Sequence, residues 1–204
     1  MLPTNMATNM TDMGTLTEIS DYPWRWRRDY LMLVAAVAVS DEELHPDEME
    51  LLKRWVEQFR LPPKSREAVF AVLKNKPLDR PQIERRLSRT DLVYSLMLDL
   101  MGMAMADGIL MDKEIHFLRG IAENLEIDPI DFNILIEFIH SAHQAAQMDN
   151  PEPLYEHNIE SAFQLMLKRN VRLFPHTLLC VSSPEYDLQL KERWMRFVAR
   201  NNNR

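Results

Sequence analysis

The chain has 204 residues, is 46% hydrophobic and 27% charged, and carries a formal charge of -7. That length suits one domain with a real core and an appended piece. The acid excess excludes a general nucleic-acid binder, since phosphate contacts need surplus Lys and Arg, and a lone Cys180 excludes an internal disulfide or a thiolate zinc cluster.

Only four glycines occur, which favours helices over strand-rich folds that use left-handed turns often. Residues 1–23 are polar, without period or secretory signal, and read as a flexible lead. Trp24-Arg25-Trp26-Arg27-Arg28 opens the first helix. Such a cluster either packs its tryptophans and solvates its arginines, or touches lipid headgroups or RNA; the first is the commoner use of amphipathic side chains. Residues 30–39 are apolar on all sides, as a central helix is. Pro46, Asp47 and Glu48 then start a helix whose buried face is Met49, Leu52, Trp55, Val56 and Phe59. A third helix is expected over 64–74 and a short basic one over 82–88.

Residues 92–106 form a second apolar helix, and like 31–39 they fall short of the ~20 residues of a membrane span. The stripe Ser95, Asp99, Gly102 and Ala106 marks either solvent or a close helix approach, with Asp99 as a candidate buried acid. After an Asp107-Gly108 turn, a helix carries Ile115, Leu118, Ile121, Ala122 and Leu125, and another runs from Asp128-Pro129 to about Gln147. Beyond Asn150-Pro151, residues 153–169 and 184–200 read as amphipathic helices, with an ambiguous apolar segment at 171–181.

The chain repeats itself at an offset of 66. Asp41, Leu44, Glu48, Leu52, Glu57 and Pro63 align with Asp107, Leu110, Glu114, Leu118, Glu123 and Pro129 without a gap. Two helical units of this kind, each unable to bury its face alone, are expected to pack about a pseudo-two-fold axis as one domain, 24–148, followed by a helical extension, 149–204.

Ala-Asp-Gly-Ile-Leu-Met-Asp-Lys-Glu at 106–114, then the helix and Leu125-Glu126-Ile127-Asp128-Pro129, resembles the TerB-like family. The first copy departs from the pattern, with Glu42 where the family usually has Gly. The resemblance implies an all-α domain with internal pseudo-symmetry, bacterial, cytoplasmic or at the inner membrane face, in a family named for tellurite resistance. It also implies metal binding through acids.

Asp41, Glu48, Asp107 and Glu114 occupy equivalent places in the two units. If the turns meet, four carboxylates converge in the oxygen shell that Ca²⁺ or Mg²⁺ takes. The competing reading gives every acid a structural task, in its own turn or in a helix's first turn. An EF-hand is excluded, because Ile109, Met111 and Leu118 fall where that loop needs oxygens. Glu137 with His140 forms a helical Glu-x-x-His pattern, but the di-iron bundles need two, so His140 and His143 read as ordinary surface histidines. The run Met97, Met101, Met103, Met105 and Met111 reads as core filling rather than a soft-metal site. No phosphate loop or nucleophile elbow is present in the sequence.

The expected function is thus a non-enzymatic interaction or stress-response module, cytoplasmic, with another protein as its partner and peripheral membrane contact open. The alternative is a divalent-cation sensor built on the paired acidic turns.

Overall fold

The computed structural model describes residues 18–40, 46–74, 77–105, 109–146, 148, 153–171 and 192. Among them are eight α-helices and no strand. After a short 3-10 turn, Ile19–Asp21, come α1 (Trp24–Val37), α2 (Pro46–Gln58), α3 (Pro63–Val72), α4 (Arg80–Leu87), α5 (Val93–Ala104), α6 (Asp112–Asn124), α7 (Pro129–Ala146) and α8 (Pro153–Lys168). The all-helical expectation holds. The second half of the expected extension, 184–200, lies outside the described residues apart from Glu192.

Local chemistry sets the starts. Pro46 is the first residue of α2, where a missing N–H costs nothing. Asp79 caps α4 by accepting the Gln82 N–H at 3.2 Å. Asp128 does the same ahead of α7, accepting the Ile130 N–H at 2.8 Å. At α6, the Glu114 carboxylate reaches back to accept the Met111 N–H at 2.8 Å, which is half of a capping box.

The 66-residue register is visible in these bounds. Pro46 and Asp112 open α2 and α6, and Gln58 and Asn124 close them. Pro63 and Pro129 open α3 and α7 in the same register. Arg60 and Glu126, again 66 apart, are both left-handed, with φ of 47° and 61°.

The core is one continuous cluster centred on α1 and α5. In α5 every residue from Ser95 to Ala104 is buried, so the Ser95–Asp99–Gly102 stripe does not face solvent. It faces protein: the Tyr30 hydroxyl of α1 donates to Asp99, and the two helices pack together. α1 also packs on α2, α3 and α4, while α5 packs on α6 and α7. Ile19, within the expected lead, is 3% exposed and belongs to the core.

α8 lies antiparallel on α7, with Asn158 beside Ser141 and Arg169 beside Asp131. Ile159, Ala162, Phe163, Leu165 and Met166 are buried on that face, and the rings of Phe163 and Phe138 stand 6.2 Å apart. No helix among the described residues is long and apolar enough to cross a membrane.

Candidate functional site

Of the four acids expected to converge, Glu48 and Glu114 are described; Asp41 and Asp107 lie outside the described residues. Glu48 and Glu114 hold the same place, the third residue of α2 and of α6, and are 8% and 6% exposed. One oxygen of Glu114 is committed to the Met111 N–H. That bond suits the structural task that the first turn of a helix gives an acid, where the dipole favours negative charge. Among the described residues, no group of three or more His, Cys, Asp or Glu is placed to hold a metal ion.

The structure gives other acids a clear role that the sequence did not single out. Asp29 on α1, 1% exposed, takes Arg28 on one oxygen at 2.7 Å and Arg86 of α4 on the other at 2.8 Å. Glu84 on α4 is fully buried, paired with Arg80 at 2.9 Å and accepting the Asn124 amide of α6 at 2.8 Å. Burial pushes the Glu84 carboxyl above its ordinary range, and Arg80 and Asn124 oppose the shift.

Asp131 on α7 accepts the Tyr94 hydroxyl of α5 at 2.6 Å and the Arg169 guanidinium at 2.6 and 2.7 Å. That guanidinium also lies over the Tyr94 ring, 5.8 Å from its centre. Burial, then the hydrogen bond to Asp131, holds the Tyr94 phenol above its ordinary range. Each of these acids joins two helices or more. Arg28 and Arg80 are local partners, one and four positions away, but the contacts that join the helices, from Arg86, Asn124, Tyr94 and Arg169, come from 37 to 57 positions away and no spacing rule marks them.

The Trp24–Arg28 cluster is packed only in part. Trp26 is half-buried, its ring 6.4 Å from that of Tyr22. Arg27 is not solvated as expected. Its guanidinium donates to the Phe59 and Arg60 carbonyls at the end of α2, and burial, followed by the Arg60 charge, lowers its pKa. Trp24 is 39% exposed, with Arg25 and Arg28 each 5.5 Å from its ring centre.

Glu137 is exposed and His140 half-buried. His143 is half-buried, and burial, then the His140 charge, lowers its pKa. Met97, Met101, Met103 and Met105 are buried in the core, as the packing reading expects. A shallow groove of about 250 Å³ between α7 and α8 is lined by Ile130, Asn133, Ile134, Glu137, Asn158 and Ser161. Ile130 is 70% exposed, and Leu154, at the start of α8, is 60% exposed.

A family model described as tellurite resistance protein TerB matches residues 32–136, just over half of the chain. That span runs from the middle of α1 into α7 and contains both repeated stretches, 41–63 and 107–129. No curated protein and no solved structure matches the chain. An all-helical fold, the Asp-Gly-Ile-Leu-Met-Asp-Lys-Glu run at 107–114 and the family model agree, and the chain belongs to the TerB family.

Proposed function

We propose that this protein is a non-enzymatic interaction module that serves a stress response by binding another protein. The observation that supports this reading is how its buried acids are used. Asp29, Glu84 and Asp131 are each held by arginine, amide or phenol groups of neighbouring helices. A carboxylate committed to holding helices together is a poor general acid or base, which needs an oxygen within reach of a substrate proton. The function then belongs to the surface, where Ile130 and Leu154 offer apolar area that a partner can bury.

Photo-crosslinking in cells tests this. A photoreactive residue placed at Ile130 or at Leu154 is expected to give a discrete protein adduct, absent from the exposed polar positions Glu57 and Glu123. Adducts at neither apolar position overturn the reading.

A second reading, a divalent-cation sensor, draws support from the matched, buried places of Glu48 and Glu114. With Asp41 and Asp107 they would supply carboxylate oxygens to Ca²⁺ or Mg²⁺. A cation that binds only the folded state raises the unfolding midpoint, by about 2.7 kcal/mol of stability at a hundredfold excess over Kd. Thermal unfolding with Ca²⁺ or Mg²⁺ against EDTA, in wild type and Asp107→Asn, decides it. A rise lost in the variant supports the sensor, and no rise with either cation rejects it.

A further inference from the structure

We propose that the arginine-rich face formed by the start of α1 and the end of α4 docks on an anionic phospholipid surface. Two contacts bring these segments side by side. The Tyr22 hydroxyl donates to Asp91 at 3.0 Å, and Arg86 pairs with Asp29 at 2.8 Å. In α4, Ile83 and Leu87 point into the core, Glu84 turns to α6 and Arg86 to α1. Helical geometry leaves Arg85 on the outward side, and both Arg85 and Arg89, in the turn just past the helix, are exposed.

The charge of this face is opposite to that of the chain. Arginines at 25, 28, 85, 86 and 89 stand against the acids Glu18, Asp21, Asp29 and Asp91, in a protein of net charge -7; Arg27 is turned away to the end of α2. Asp29 has a 2% exposed side chain and is neutralised by Arg28 and Arg86, so it does not repel a phosphate. Arg25, Arg85 and Arg89 make no ion pair among the described residues.

Trp24 sets the class of partner. An indole flanked by guanidinium groups suits the headgroup layer, where Trp settles at the interface and arginine meets phosphate. A nucleic-acid base would instead need an open aromatic face to stack on, and the Trp24 ring already carries arginines. A long polyanion would also meet the acid excess of the whole chain. A membrane meets one face only, and charges beyond about 10 Å are screened at ordinary salt.

Flotation of the full chain with phosphatidylglycerol–phosphatidylethanolamine vesicles, against pure phosphatidylcholine, is the test. Binding is expected only to the anionic vesicles at about 0.15 M salt, weakening as salt rises. The tryptophan emission should shift to the blue on binding, and Trp24→Ala should diminish that shift, because among the described tryptophans Trp24 is the exposed one, Trp26 being half-buried and Trp55 fully buried. The double variant Arg85→Glu/Arg89→Glu should weaken binding at least about tenfold, with an unchanged circular dichroism spectrum. Equal binding to both vesicle types, or full binding by the double variant, overturns the proposal. So does preferential capture of a single-stranded oligonucleotide that the same variants abolish.

Discussion

Three helix ends close through residues with side chains rather than through glycine. Arg60, Glu126 and Asn170 have φ of 47°, 61° and 51°. After Glu126 the Ile127 N–H returns to the Ala122 carbonyl at 2.9 Å, and after Asn170 the Val171 N–H returns to Met166 at 2.8 Å, the long closing bond of a Schellman end. A left-handed residue with a Cβ costs about 1–2 kcal/mol. Glu126→Gly is therefore expected to stabilise the protein by about 1 kcal/mol in urea unfolding; a loss would mean that the Glu126 side chain itself contributes. Gly120 sits inside α6, and an added Cβ would meet nothing within 4 Å. Gly120→Ala should add about 0.5–1 kcal/mol. The sequence marked the prolines at 62–63 and 129 but not these turns, because the usual sign, glycine, is missing from them. Glu84 makes a pH prediction. Burial raises its pKa above the ordinary 4.5, so the folded state holds the proton more tightly than the unfolded state. Its contribution is full below about 4.5 and is lost as pH rises through the raised value. Against Glu84→Gln, wild type should lose relative stability as pH rises above the ordinary 4.5 and through the raised value, measured as paired urea midpoints. A constant gap would rule out the raised pKa.

At the scale of the helix, α8 shows what periodicity reveals and what it hides. The apolar spacing from 153 to 169 announced the helix, and the structure ends it at Lys168. The face it covers was not legible. Asp131 and Arg169 are 38 positions apart, and nothing local to either names the other. The same holds for Arg27, which reads as a surface arginine until the end of α2 arrives beside it. Phe163 lies 2% exposed against Phe138, so Phe163→Ala is expected to cost about 3–5 kcal/mol. Amide exchange should rise first along α7 and α8. Fast exchange spread evenly over all helices would instead mean that α8 and the domain unfold as one unit.

For the molecule as a whole, the offset of 66 was the most informative feature of the sequence, because it aligned core positions and helix starts together. Leu52 and Leu118 are equivalent and both fully buried. Leu52→Ala and Leu118→Ala should each cost about 2–5 kcal/mol, read from chemical denaturation. A negligible effect at either would show that the two units do not share the core equally. The acidic turns were equally legible as a pattern, but a pattern of acids does not say whether they hold a cation or a backbone N–H, and Glu114 is seen holding the latter. The position of α1 has a temporal consequence. It is the first α-helix to be synthesised among the described residues, yet the hydroxyl contacts of its Tyr30 with Asp99, and of Tyr22 just before it with Asp91, each wait for a residue 69 positions later. At roughly 5–20 residues per second, the ribosome needs about 3–14 s to supply them. Through that interval the side of α1 destined for α5 stays uncovered on the nascent chain, open to a chaperone or to a neighbouring copy before its own α5 arrives.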